Sequence, residues 1–197
     1  LGWEDGCWYN ASRAVDQSDG LADDERRAYV GRARARVEYI RGEEFDRRVP
    51  VSVLSRSEYR NRSGGGGGGS EGPSDYQRWN DQVWEALFVT GESQDSGSAI
   101  SDTRSAAVAG FYSARDDEIK VITDSPESPT IDNATLVHEL VHAVQDQRYD
   151  LTRSKYGGDT QDEQLAIDGL IEGDANYVEA RYEKRCGAAW DCVATPE

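Results

Sequence analysis

The chain has only two histidines, and both fall in one five-residue run, His138-Glu139-Leu140-Val141-His142. Scattered at random, two histidines would land four apart in roughly one chain in a hundred, and with Glu second in roughly one in a thousand. On a helix, positions i and i+4 share a face, so both imidazoles can reach one metal ion. Imidazole nitrogens at about 2.0–2.1 Å are natural zinc ligands. Glu139 lies about 100° round from His138, beside the metal rather than on it, where it can take a proton from an activated water. The surrounding residues predict the helix. Asp132 can cap its start, and Leu136, Val137, Leu140, Val141 and Val144 supply a buried face as far as about Arg148. The plainer reading is a helix whose histidines only pair with acids, and the spacing weighs against it.

A catalytic zinc needs a third protein ligand and an open position. The absence of a third His excludes families that complete the site with one. Cys186 or Cys192 could serve, but CGAAWDC is better explained as a short surface disulfide, with Cys7 left over. A carboxylate remains. Thr160-Gln161-Asp162-Glu163 is a capping box that opens a second helix, with Ile167, Leu170, Ile171, Val178 and Tyr182 as its expected buried side. Asp168, Glu172, Asn176 and Glu179 form a polar stripe along it. Such a stripe is ordinarily a solvated face. Glu172 stands out because Gly169 and Gly173 would permit close helix–helix approach and because its neighbours are apolar or small. Glu172 is therefore the expected third ligand.

Elsewhere the sequence predicts an irregular arm over 1–20 docked by Trp3, Trp8 and Tyr9. A helix that starts within the run Asp19 to Glu25 and ends near Gly42 buries Val30, Ala33, Val37 and Ile40, and a strand follows within 48–56. Gly64 to Gly69 sit in a flexible glycine-rich loop, 62–74, that is either natural or an engineered replacement. Residues 75–89 form a helix whose aromatic stripe (Tyr76, Trp79, Trp84, Phe88) reads as core, and 92–104 reads as a polar loop. Val108–Tyr112 and Ile119–Thr123 make a hairpin.

Charge narrows the function classes. With 38 Asp+Glu against 22 Lys+Arg the formal net charge is −16, which excludes a nucleic-acid binder because a polyphosphate would be repelled. There is no apolar run of about 18 residues to span a bilayer. Only Lys120, Lys155 and Lys184 are lysines, and the other basic residues are Arg. Acidity with scarce Lys fits a high-salt environment, where the Debye length shrinks to roughly 3 Å. The Cys186/Cys192 pair and the triplets at Asn10, Asn61 and Asn133 fit an extracellular or cell-surface location. The chain begins at Leu1 and has no Met, which reads as a mature form, so any signal sequence or membrane anchor would lie in segments outside it.

The run HELVHAVQDQ resembles the zinc helix of the gluzincin metallopeptidases, whose best-known members are the thermolysin-like proteases. The Glu-Gly-Asp-Ala run from Glu172 to Ala175 resembles the third-ligand helix of that clan. With Gln145-Asp146-Gln147 and the short preceding hairpin, the chain is similar to predicted metallopeptidase-like surface proteins of halophilic archaea. The resemblance covers roughly residues 108–185. It implies that His138, His142 and Glu172 bind Zn2+, that Glu139 is general base and acid, and that a hairpin strand offers its edge to a substrate backbone. Gluzincins often carry an Asp four residues after the third ligand to orient a zinc-bound His. That position is Asn176 here, with Asp168 one turn earlier as an alternative. Relatives often stabilise the oxyanion with a downstream His or Tyr, which leaves Tyr177, Tyr182 or Arg181.

The expectation is one α+β, zincin-like domain over 1–197, with a small, mainly antiparallel sheet packed on the zinc helix and the third-ligand helix. The expected activity is zinc-dependent hydrolysis of peptide or protein substrates. The alternatives are a non-catalytic zinc-containing cell-surface interaction domain and a metal-free inhibitory domain.

Overall fold

The computed structural model describes residues 1–12, 15–63, 73–91 and 95–193, so the glycine run lies outside the described residues. Helices and strands combine in an α+β arrangement divided into two compact units, Leu1–Val53 with Ala109–Glu197, and Leu54–Val108.

The first unit is built around α1 (Asp23–Arg41). Asp23, Asp24 and Glu25 favour its N-terminus, and Gly42 ends it in the left-handed region, at φ 77°, where its N–H reaches the Glu38 carbonyl. Val30, Ala33 and Val37 are buried as the periodicity predicts and Ile40 is half-buried; Tyr29 is buried too, as are Arg32, Arg34, Arg36 and Glu38, each at most 2 % exposed. Buried guanidinium N–H groups must find acceptors. Arg36 Nη2 lies 2.9 Å from Asp191 Oδ1, and Arg32 Nη1 3.5 Å from Asp191 Oδ2. Arg34 Nη2 meets Glu4 at 2.8 Å.

Both ends of the described chain therefore dock on α1. The N-terminal arm is a small hairpin of β1 (Trp3–Glu4) and β2 (Cys7–Trp8). Its tryptophans do not dock it, being about half exposed. It is held by Glu4, by the Gly2 N–H on Glu38 at 2.8 Å, and by Tyr9 stacked on Tyr39 with centroids 3.8 Å apart. At the other end the Cys186–Cys192 disulfide closes the loop that carries Trp190 and Asp191. Asp191→Ala would leave two buried guanidiniums short of their carboxylate. The expected cost is about 2–3 kcal/mol in urea denaturation, below that of a fully buried pair because Asp191 is 41 % exposed. A loss under about 0.5 kcal/mol would place those arginines' compensation elsewhere.

The sheet orders β3 (Val51–Ser55), β5 (Glu118–Thr123) and β4 (Gly110–Ser113), with β4 and β5 antiparallel and Tyr112 opposite Ile119. β5 is thus central. The substrate edge expected of Ile119–Thr123 is therefore not available, and among the described residues β4 is the strand of the hairpin with no second strand beside it. β4 comes so close to the next helix that a Cβ on Gly110 would sit 3.3 Å from Thr135 Cγ2.

That helix, α5 (Asn133–Tyr149), is the predicted one. Asp132 Oδ2 accepts the Thr135 N–H at 2.8 Å, and Leu136, Val137, Leu140, Val141 and Val144 form the core with α1 and the sheet. In α6 (Gln161–Glu183), Thr160 caps as predicted, but burial is confined to Ala175, Val178 and Tyr182. Leu170 is 74 % exposed, and a Cβ on Gly169 or Gly173 would meet nothing within 4 Å. The two glycines face open space and bring no helix close. Their proposed packing role is corrected accordingly.

In the second unit, α2 (Arg56–Ser63) and α3 (Asp75–Ala86) each lie against α4 (Ser96–Ala107). Residues 96–104 are therefore helical, not a polar loop. Asp95 starts the helix by accepting the Ser98 N–H at 2.6 Å. The predicted aromatic stripe is not core: Tyr76 and Trp79 of α3 are more than half exposed, Trp84 is half-buried, and Phe88, beyond the helix end at Ala86, is almost wholly exposed.

Candidate metal centre

α5 and α6 cross so that His138, His142 and Glu172 each offer a ligand atom, all within 4.8 Å of one another. Glu172 Oε2 lies 3.0 Å from His138 Nε2, and Oε1 lies 3.5 Å from His142 Nε2. A tetrahedral zinc with bonds near 2.1 Å holds its ligand atoms ~3.4 Å apart; the Glu172 oxygens stand at about that distance from each imidazole, and the three residues together could hold an ion if the group drew in slightly. The histidine side chains are 18 % and 13 % exposed while Glu172 is 53 % exposed. The cluster therefore opens to solvent on the Glu172 side. That exposure corrects the reason for singling out Glu172: solvent reaches it, and what distinguishes it is its place opposite both imidazoles.

Each imidazole is held from behind. His138 Nδ1 is 3.0 Å from Glu179 Oε2, and His142 Nδ1 is 3.0 Å from Gln145 Oε1. Donating Nδ1–H fixes the tautomer and leaves Nε2 free to ligate. Gln145 is itself oriented, because its Nε2 donates to the Ile171 carbonyl at 3.0 Å and to Asp174 Oδ2 at 2.7 Å. Arg41 of α1 holds Asp174 in turn. The expected orienters are not the ones used: Asn176 is exposed and Asp168 accepts from Gln164 at 2.7 Å. The signal for Glu179 was present, two turns beyond Glu172 on the same stripe, and Gln145 follows His142 by three residues.

Burial works against charging His138, but the Glu179 hydrogen bond and the charges of Glu139 and Glu172 outweigh it and hold its pKa above the usual value. A raised folded pKa gives stability that is full below the unfolded value, about 6.5, and lost as pH rises through the folded one. A metal at Nε2 must displace that proton. Zinc titrations in buffers of different ionisation enthalpy should therefore show proton release at pH 7, with affinity falling as pH drops. Affinity independent of pH between 6 and 8 would remove His138 from the ligand set.

Glu139 sits between the helix and β4. Its Oε2 accepts the Tyr112 N–H at 2.7 Å. Burial pushes its carboxyl above the ordinary range, against the pull of His142, the Tyr112 N–H and His138. A carboxyl so placed is suited to accept and return a proton.

The two tyrosines expected to stabilise an oxyanion are not brought here. Tyr182 is 0 % exposed, and its hydroxyl accepts from Arg36 Nη1 at 3.2 Å beneath Trp190. It is a core residue and cannot touch a substrate. Tyr177 is 59 % exposed on α6, its hydroxyl accepting from Arg181 Nη1 at 2.9 Å, so Arg181 is engaged there too. Tyr177 lies about 140° round the helix from Glu172, away from the histidines.

No protein-family model, no curated protein and no solved structure matches the chain.

Proposed function

We propose that the chain is a zinc-dependent peptidase of the gluzincin type with a zincin-like fold, acting on peptide or protein substrates. The observation that carries this reading is the convergence of His138, His142 and Glu172 on one point, with Glu139 buried beside it. Zinc bound there would act as a Lewis acid and bring the pKa of a water down toward ~7. Glu139 would be the residue that accepts a proton at the carboxylate oxygen not engaged by Tyr112 and returns it to the leaving amine. Glu179 and Gln145 keep the imidazoles in register throughout. The disulfide, the acidity and the preference for Arg support a place outside the cell or at its surface, in high salt.

A second reading, a zinc-containing interaction domain without catalysis, is favoured by the placement of Tyr177 and Tyr182 away from the cluster. Metal content by mass spectrometry, followed by a peptide-library digest in high salt, separates the two. One zinc per chain with cleavage supports the peptidase; one zinc without cleavage supports the interaction domain; no zinc defeats both.

A further inference from the structure

Tyr112 of β4 binds α5 at two points. Its backbone N–H donates to Glu139 Oε2 at 2.7 Å, and its hydroxyl lies 2.8 Å from Asp146 Oδ2 and 2.8 Å from Asp117 Oδ1. Glu139 and Asp146 are seven residues apart, two turns along one face of α5. Both contacts are well built. Asp146 is 7 % exposed and its Oδ1 accepts the Leu151 N–H at 2.8 Å, while Arg47 holds Asp117. Burial, with hydrogen bonds to Asp117 and Asp146, drives the phenol's pKa upward, so it stays a donor. Strand alternation completes the arrangement. Ile122 N–H donates to the Ala109 carbonyl at 2.8 Å, so the backbone groups of residues 109, 111 and 113 face β5 and those of 110 and 112 face away from it.

We propose that Tyr112 is the positioning residue that aims Glu139, its phenol pinning β4 to α5 so that its own N–H fixes one carboxylate oxygen and leaves the other for the proton. The proposal rests on the peptidase reading for what the aiming achieves, but its geometry can be tested without it. It also means that a peptide lying along β4 cannot use the Tyr112 N–H, which Glu139 already occupies.

Hydrogen exchange followed by NMR on the metal-free protein tests the tether. The Tyr112 amide should exchange slowly in the wild type and about tenfold faster or more in Glu139→Ala and in Tyr112→Phe. The Ile122 amide, on the β5 side of the same hairpin, should not change, which distinguishes loss of the tether from loosening of the hairpin. In the zinc-loaded protein, Tyr112→Phe should lower kcat about tenfold to a hundredfold on a reporter peptide with KM nearly unchanged and full zinc content. An unchanged Tyr112 amide in the Phe variant, or equal acceleration at Ile122, overturns the proposal. If the wild type cleaves nothing, the peptidase reading falls and the exchange pattern alone decides whether Tyr112 aims Glu139.

Discussion

Glu172→Ala is expected to reduce zinc affinity by at least a hundredfold, about 2.8 kcal/mol, and to yield protein purified with little metal. The side chain supplies the only carboxylate found within reach of both imidazoles among the described residues, 3.0 Å from one and 3.5 Å from the other. Without it two neutral nitrogens remain, too few to hold an ion that takes four ligands. The variant should fold, because Glu172 is half exposed and contributes nothing to the core. Glu179→Gln sets the scale: it keeps a hydrogen-bond acceptor behind His138 but removes the charge, and a partner of that kind is worth 10- to 100-fold. Competition against a chelator of known affinity measures both. If Glu172→Ala weakened zinc no more than Glu179→Gln, Glu172 would be an orienter and the third ligand would have to be sought elsewhere.

What was legible in the sequence was what is encoded locally. The i, i+4 histidines, the Asp132 cap, the Thr160 capping box and the hairpin each depend on residues within one or two turns, and each lies where the pattern put it. The pairing of Glu172 with the histidines was also legible, although partly for a reason that fails, since Gly169 and Gly173 face open space. What was not legible depends on distant partners. Tyr182 looks like an available hydroxyl until Arg36, 146 residues earlier in sequence, is seen beneath it. The burial of the α1 arginines has no local signal, because their acceptors lie far off in sequence, Glu4 and Asp191. Glu179, rather than Asn176, orients His138 because of how far α6 runs past α5, a crossing no local pattern specifies. The aromatic stripe of α3 was misread as well: no residue of that helix is buried, so an apolar face does not by itself predict burial.

Glu139→Gln carries the largest expected effect on activity. A general base contributes about 10²- to 10⁴-fold, and in the proposed mechanism one group would serve both transfers, so the loss of kcat should lie toward the upper end. The geometry makes this substitution selective. Glu139 is not a ligand: it stands beside the histidines, and its Oε2 is already taken by the Tyr112 N–H. Glutamine can keep that hydrogen bond through its carbonyl oxygen but has no carboxylate to accept a second proton. Removing a buried carboxyl whose pKa is raised by desolvation should also stabilise the fold slightly or leave it unchanged, so inactivity cannot be ascribed to unfolding. Zinc content should match the wild type, because both imidazoles and Glu172 are untouched. The informative comparison is therefore between the two variants. Glu172→Ala should lose metal and activity together, whereas Glu139→Gln should lose activity alone. Retained turnover with retained zinc in Glu139→Gln would remove Glu139 from the mechanism and leave the ion itself as the source of any hydrolysis.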